Sequence, residues 1–116
     1  MNIERTDIGL VSVIRMPAQL TLGQAPAWRH AIRDIIDMGY HRLVLDMSGV
    51  EFIDSTGLSV LVATLKACRA EGGDGALLGL APSVRALVEL TRLHHVFEIF
   101  RAEEAAVRHL EARQVA

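Results

Sequence analysis

The sequence predicts an α/β fold with a mostly parallel sheet, and three observations lead to that prediction. Short apolar runs rich in strand-forming residues alternate with longer segments that carry apolar residues at helical spacing. Glycine or proline stands near several boundaries between the two kinds of segment, as helix ends and turns require. The chain has 116 residues, which is enough for one domain and too few for a second core.

The first two predicted strands form a hairpin, and a helix follows them. Residues 2–6 and 10–16 are the expected strands, and Asp7-Ile8-Gly9 between them has turn-like spacing. The first helix is expected over residues 25–38, where apolar residues recur on one face and Pro26 lies near the start. The hairpin therefore supplies an antiparallel strand to a sheet that is otherwise built through helical crossovers.

The rest of the chain alternates strand and helix without a linker or an internal repeat. The predicted elements are a buried strand at 42–46, a short run at 50–53, a helix from about 58 to Gly72-Gly73, a strand at 76–80, a helix that starts at Pro82, a strand at 96–100 and a helix from about Glu103. Strands joined in this way are expected to run parallel to one another.

Composition excludes several classes of partner and location. The net charge of -2, with acidic and basic residues interspersed, argues against nucleic acid and against a polybasic membrane surface. Cys68 is the only cysteine, so no disulfide can form within the chain and a reducing compartment is indicated. The first residues lack the features of a secretory signal, and no apolar run is long enough to span a bilayer. We therefore expect a cytoplasmic protein without direct membrane insertion.

The segment VEFIDSTGLSVLVATLK, residues 50–66, interrupts two apolar patterns with Asp54-Ser55-Thr56-Gly57. Any one of the first three residues is a good helix N-cap, worth about 1 kcal/mol. One cap is sufficient, however, and glycine within a first turn costs roughly 0.5 to 1 kcal/mol relative to alanine. Two functional interpretations remain. Gly57 lets a partner's backbone or a phosphate approach the hydroxyls, or a hydroxyl accepts a phosphate beside the positive helix N-terminus.

Catalytic and metal-binding interpretations of this segment have little support. Aspartic proteases carry Asp-Thr-Gly or Asp-Ser-Gly, whereas here an extra residue intervenes and a helix follows. Ser55 lacks the G-x-S-x-G surroundings of a hydrolase nucleophile. The five histidines show no ligand spacing with cysteine or carboxylates. We expect neither an enzyme nor a bound cofactor or metal.

The segments RLVLDMSGVEFIDSTGLSVLVATLKACRAEGG and LAPSVRALVELTRLHHVFEIF resemble STAS domains, specifically the bacterial anti-sigma factor antagonists. The resemblance covers nearly the whole chain and is strongest from 42 to 100. Its most specific element is Asp-Ser-Thr-Gly-Leu after the short strand. It implies one STAS domain over residues 1–116, with a four- to five-stranded, mostly parallel sheet, an N-terminal antiparallel strand and about four helices.

The resemblance also implies a partner switch. Unphosphorylated antagonists bind an anti-sigma factor that is a serine kinase, phosphorylation inactivates them, and a PP2C-type phosphatase restores them. By position, Ser55 corresponds to the phosphorylated serine, Asp54 to the preceding acid, Thr56 to the neighbouring hydroxyl and Gly57 to the residue of close approach. ATP and magnesium belong to the kinase, so the antagonist needs no cofactor.

The expected docking surface extends along the second helix and into one loop. Helical spacing places Ser59 and Ala63 on the side of that helix opposite its apolar face, in line with Thr56. An ordinary solvated helix face would show the same pattern. In many antagonists a loop with the sequence Gly-Glu-Leu-Asp lies beside the phosphorylation site, and this chain has 18-AQLT-21 there. Thr21 is therefore the expected contact from that loop.

Two departures from the family pattern carry consequences. The missing acidic residues in 18–21 favour an alternative, in which the domain is a non-switching scaffold subunit of a lipid-transport ABC complex or a stressosome-like assembly. The second departure is Arg92, since relatives often carry glycine at this position. If Arg92 has to adopt a left-handed conformation after the third helix, the cost is on the order of 1 kcal/mol.

Overall fold

The predicted alternation of strands and helices is present in the computed structural model, which describes residues 1–112. The strands are β1 (Arg5–Ile8), β2 (Val11–Arg15), β3 (Gln19–Leu20), β4 (Arg42–Asp46), β5 (Phe52–Ile53), β6 (Asp74–Leu78) and β7 (Glu98–Phe100). The helices are α1 (Ala25–Asp37), α2 (Ser55–Ala70), α3 (Pro82–Leu90) and α4 (Glu103–Ala112), with a short 3-10 turn at Leu93–His95.

Five of the strands form the central sheet, in the order β1-β2-β4-β6-β7. β1 pairs antiparallel with β2, and all the other neighbours in this sheet are parallel. The expected fold class, a mostly parallel sheet with one N-terminal antiparallel strand and about four helices, is thereby confirmed. The short strands β3 and β5 pair in parallel as a separate sheet.

Helices cover both faces of the central sheet, and the inner strands β2, β4 and β6 are largely buried for that reason. On β4, Leu43 and Leu45 belong to the larger core beneath α1, α2 and α3, whereas Val44 belongs to a second core beneath α4. All three side chains are at most 1% exposed. Because α1 and α2 each return the chain between parallel strands, the two helices run in the same direction and begin at the same edge of the sheet.

Several element boundaries differ from the sequence predictions. The hairpin turn lies at Gly9 and Leu10, whereas the predicted turn was 7–9, because Asp7 and Ile8 belong to β1 and Gly9 supplies the positive φ of +60° that a tight turn requires. β6 begins at Asp74 and ends before Gly79, whose φ of +73° does not continue a strand. β7 starts at Glu98, since Val96 is still part of the preceding turn.

Cys68 is the buried thiol that the helical pattern of α2 predicts. Its side chain is fully buried among the apolar residues of the larger core. Burial, together with the nearby carboxylate of Asp74, raises the pKa of the Cys68 thiol to about 12. The thiolate that would react with electrophiles is therefore scarce at neutral pH, which confirms the expectation of an inert cysteine. None of the helices formed by residues 1–112 has the length and apolar character needed to cross a bilayer.

Arg92 adopts the left-handed conformation that its position after α3 requires, with φ 61° and ψ 20°. Replacing Arg92 with glycine should raise the free energy of unfolding by about 0.5 kcal/mol, because relief of the strain exceeds the added entropy of the unfolded chain. Urea denaturation measures the difference. Arg92→Ala is the control, since it removes the same exposed side chain and keeps the strain. A glycine variant no more stable than the alanine variant would contradict this account.

Candidate partner-binding site

The two-stranded sheet of β3 and β5 positions the Asp54-Ser55-Thr56-Gly57 segment. β5 leads directly into Asp54, and Leu20 of β3 pairs with Ile53 of β5. Neither strand is longer than two residues, so β3 had no recognisable pattern in the sequence. The segment after each strand therefore reaches the same place, and the loop at 21–24 lies beside the start of α2.

Asp54 is the N-cap of α2 and also holds the neighbouring loop. Its Oδ1 accepts a hydrogen bond of 2.8 Å from the backbone amide of Gly57, which is the standard N-cap contact. Its Oδ2 accepts a second bond of 3.0 Å from the backbone amide of Leu22. Both oxygens are thus used within the chain. The carboxylate predicted to contact a partner fixes the geometry of the site as well.

Ser55 occupies the first helical position of α2, and its side chain is exposed. Thr56 follows and is half-buried. The amides of these two residues belong to the first turn and have no acceptor within the helix. They lie where the helix dipole is positive, so an anion on Ser55 would be stabilised there. The structure thus places the expected phosphate acceptor at an accessible helix N-terminus.

Gly57 has a different role from the predicted one. It is buried, and a Cβ added there would overlap the backbone carbonyl oxygen of Leu20 and stand 2.8 Å from Cγ1 of Ile53. The atoms that approach Gly57 closely therefore belong to β3 and β5 of the same chain. The expectation that this glycine admits a partner's backbone or a phosphate is wrong, because no room remains for either. Gly57 allows α2 to start against the two-stranded sheet.

Ser59 lies one turn after Ser55 and links α2 to α1. Its hydroxyl donates to the carbonyl oxygen of Thr56 at 2.5 Å and accepts a hydrogen bond of 2.8 Å from the guanidinium of Arg29 on α1. Ser59 is half-buried and Arg29 is exposed. The predicted strip of small side chains on α2 therefore does not stand free in solvent. It faces α1.

A groove runs between α1 and α2 and begins at this contact. Its volume is about 500 Å³. Ala63 and Ala67 line the α2 side, and Arg29 and Arg33 stand on the α1 side. The remaining lining residues are Pro26, His30, Ile32, Ile36 and Thr64. The groove combines an apolar floor with basic side chains.

Thr21 begins the loop at 21–24 and is turned toward that loop. Its hydroxyl donates to Oε1 of Gln24 at 2.8 Å, and its carbonyl oxygen accepts from the amides of Gln24 and Ala25. Next to it, Leu22 is 68% exposed, and Phe52 on the neighbouring strand β5 is 58% exposed. Two large exposed apolar side chains therefore lie close to Asp54 along the chain or through its bond to Leu22. Neither residue stands out in the sequence.

The site has the composition of a binding surface. No group of three or more histidine, cysteine, aspartate or glutamate side chains within residues 1–112 is arranged to hold a metal ion. The Asp54 carboxylate precedes Ser55 directly, and the Arg29 guanidinium bonds Ser59 one turn further along α2. Such an arrangement can recognise a protein surface and can respond to added negative charge.

Comparison with known proteins agrees with the fold. A family model described as the STAS domain matches residues 2–106. This chain belongs to the STAS domain family. A relative from Thermotoga neapolitana, provisionally named an anti-sigma factor antagonist, is 30% identical to this STAS domain over 103 residues. That match covers 87% of this chain and 91% of the relative.

Solved structures show the same fold. The crystal structure of a Thermotoga maritima protein, provisionally named an anti-sigma factor antagonist, superposes on this STAS domain with a TM-score of 0.87 and 27% identity, covering 94% of each chain. The phosphorylated form of SpoIIAA from Bacillus superposes with a TM-score of 0.72, covering 93% of this chain and 98% of that one. At 20% identity, the SpoIIAA match establishes the shared fold. The relatives are named for regulatory binding, in agreement with the expectation that this chain is not an enzyme.

Arg29 is the functional candidate that sequence reasoning missed. On α1 it follows the buried Trp28, and by pattern it belongs to the solvated face of that helix. Its importance arises only because α1 lies next to α2, which is a tertiary relation between segments 30 residues apart. The sequence signal that could have suggested it is the absence of an acidic residue three or four positions away along α1.

Proposed function

We propose that this STAS domain is an anti-sigma factor antagonist that acts by partner switching in the cytoplasm, with Ser55 as its phosphorylation site. The unphosphorylated domain binds an anti-sigma factor that is also a serine kinase, and so releases the sigma factor. The kinase transfers the γ-phosphoryl group of ATP to Oγ of Ser55 and releases ADP. A PP2C-type phosphatase hydrolyses the phosphoserine and returns the domain to its binding form.

The position of Ser55 is the observation that carries this proposal. The side chain is exposed at the first position of α2, directly after Asp54, and it is not needed as the helix cap because Asp54 has that role. A phosphate on Ser55 adds a charge of about -1.5 to -2 at neutral pH. The helix N-terminus tolerates that charge, so the domain stays folded while its docking surface becomes more negatively charged.

The proposed docking surface comprises the first turn of α2, the groove and the adjoining loop. Its residues are Asp54, Thr56, Ser59, Ala63 and Thr21, with Leu22, Phe52 and Arg29 added by the structure. Apolar side chains at the centre of an interface contribute most of the binding energy when a polar rim excludes water. A new phosphate beside them has to be desolvated on binding, which weakens the complex.

Substitution of Ser55 should separate a charge switch from a passive scaffold. With the purified kinase-type partner, Ser55→Ala should bind with nearly the wild-type Kd, and Ser55→Glu should bind at least about tenfold more weakly because a carboxylate imitates part of the phosphate charge. Isothermal titration calorimetry measures both. Mass spectrometry of the protein from its native cells should find phosphate on Ser55.

Ser83→Glu is the matched control for this test. Ser83 is also exposed and also lies in the first turn of a helix, α3, so the variant adds the same charge at the start of a different helix.

Ala63→Glu, which places a negative charge in the groove, should weaken binding as well. A partner that is indifferent to Ser55→Glu, together with unmodified Ser55 in cells, would refute the switch and favour the non-switching scaffold.

A further inference from the structure

Arg29 is a cation that the folded domain leaves without an acidic partner. Within residues 1–112, no carboxylate lies within 4.0 Å of its guanidinium, which instead donates to Oγ of Ser59 at 2.8 Å. One turn later on the same helix, Arg33 is paired with Asp37 at 3.2 Å. Both arginines line the groove between α1 and α2. The groove is therefore lined by one arginine that is paired with a carboxylate, Arg33, and by one that is not, Arg29.

The guanidinium of Arg29 lies within one helical turn of Ser55. Ser55 and Ser59 are four residues apart on α2, and side chains at this spacing are neighbours with Cβ atoms about 5 to 6 Å apart. Side chains on a helix also lean toward its N-terminus, and the Ser59 hydroxyl does so because it bonds the carbonyl of Thr56. Arg29 is thus held over the first turn of α2, on the side where Ser55 lies.

A phosphate would be a stronger acceptor for this guanidinium than a serine hydroxyl. Arginine and phosphate form charge-assisted, often bidentate hydrogen bonds, which are roughly twice as strong as neutral ones. The neighbouring carboxylate of Asp54 does not pair with Arg29 in the folded domain, and its two oxygens accept the amides of Gly57 and Leu22. Moving from Ser59 to a phosphate on Ser55 requires a rotamer change of one exposed side chain, since Arg29 has no ion pair to break.

We propose that phosphorylation of Ser55 draws the guanidinium of Arg29 away from Ser59 and into an ion pair with the phosphate, which bridges α1 and α2 at the mouth of the groove. This inference rests on the proposed function for its phosphoserine. The ion pair removes the available cation from the docking surface and narrows the entrance to the groove. Phosphorylation therefore acts by internal masking of Arg29 as well as by added charge.

Phosphorus NMR of the modified domain tests the ion pair directly. Phosphoserine is installed at position 55 during translation, and the second pKa of the phosphate is measured by pH titration of the wild type and of Arg29→Gln. A nearby cation favours the dianion, so the pKa should be lower in the wild type by about half a unit, a modest shift because the site is exposed. The acids Glu51 and Asp54 are present in every variant and cancel in the comparison.

Two further variants make the result specific to Arg29. Arg33→Gln is the matched control, and its phosphate should titrate like that of the wild type, because Arg33 is paired with Asp37. Arg29→Lys should retain part of the lowering, since it keeps the charge and loses the planar fork. The side-chain ¹⁵Nε resonance of Arg29 should also move when Ser55 carries phosphate and stay in place when it does not.

The outcomes distinguish this inference from the proposed function. Equal phosphate pKa values in the wild type and in Arg29→Gln would overturn the ion pair, and so would an unmoved Arg29 resonance. Because the phosphoserine is installed without a kinase, this result does not depend on whether cells modify Ser55. Conversely, the absence of phosphate on Ser55 in native cells would overturn the proposed switch and leave the measured ion pair standing.

Discussion

Replacing Gly57 with alanine is expected to lower the free energy of unfolding by about 3 kcal/mol, although the substitution favours helix formation. Helix propensity alone predicts a gain of about 1 kcal/mol, since glycine is the weaker helix former. The packing term has the opposite sign. The added Cβ would overlap the carbonyl oxygen of Leu20 and stand 3.0 Å from the carbonyl carbon of that residue, so backbone has to move.

Urea denaturation of Gly57→Ala beside Gly23→Ala measures the packing term. Gly23 lies in the neighbouring loop, has no positive φ, and a Cβ there meets no atom within 4 Å. Its substitution should change the free energy of unfolding by no more than about 0.5 kcal/mol. If Gly57→Ala were as stable as Gly23→Ala, α2 would not start against β3 in the way described, and Gly57 would again be available to a partner.

Replacing Arg69 with methionine is expected to lower the free energy of unfolding by about 2 kcal/mol, the second largest effect. Nε of Arg69 lies 3.0 Å from Oδ1 of Asp74, whose side chain is only 3% exposed. Without the guanidinium, the negative charge of the buried Asp74 carboxylate is less well stabilised. The cost stays below that of a fully buried pair, because Arg69 is 46% exposed and the amide of Gly75 still donates to Asp74.

Arg33→Met supplies the comparison within the same molecule. Arg33 and Asp37 form an ion pair of similar length, 3.2 Å, but their side chains are 55% and 56% exposed. Removal of this pair should cost no more than about 0.5 kcal/mol, as is usual for exposed pairs four residues apart on a helix. Thermal and urea unfolding of both variants give the ranking. Equal losses would show that burial of Asp74 is not what gives the Arg69 pair its strength.

The sequence predicted those features that depend on local pattern. The bounds of β4 and the start of α3 at Pro82 follow from apolar spacing and from residues with known positional preferences. The second helix was expected from about residue 58, but α2 already starts at Ser55 because Asp54 caps it. The family pattern around Arg92 raised a left-handed conformation as one case to consider, and Arg92 does adopt it. Such features depend on a few consecutive residues and can be recognised in a single sequence.

The features that the sequence did not predict depend on contacts between distant segments. β3 has two residues, too few for a period, and it exists because β5 lies beside it. The role of Gly57 depends on that same pairing, which explains why partner access was the wrong interpretation. Arg29 belongs to a helix surface that carries no special signal until α1 and α2 are side by side.

The carboxylate of Asp54 bonds two separate segments, and this has a thermodynamic consequence for unwinding of the backbone around Ser55. One oxygen holds the amide of Gly57 and the other holds the amide of Leu22, 32 residues away in sequence. Fraying of the first turn of α2 is therefore coupled to opening of the loop at 21–24, because each movement removes one of the two bonds to the same carboxylate. An enzyme that needs the backbone around Asp54 and Ser55 to unwind works against both bonds. The free energy of that unwinding is thus set jointly by a helix end and a loop that are remote in the chain.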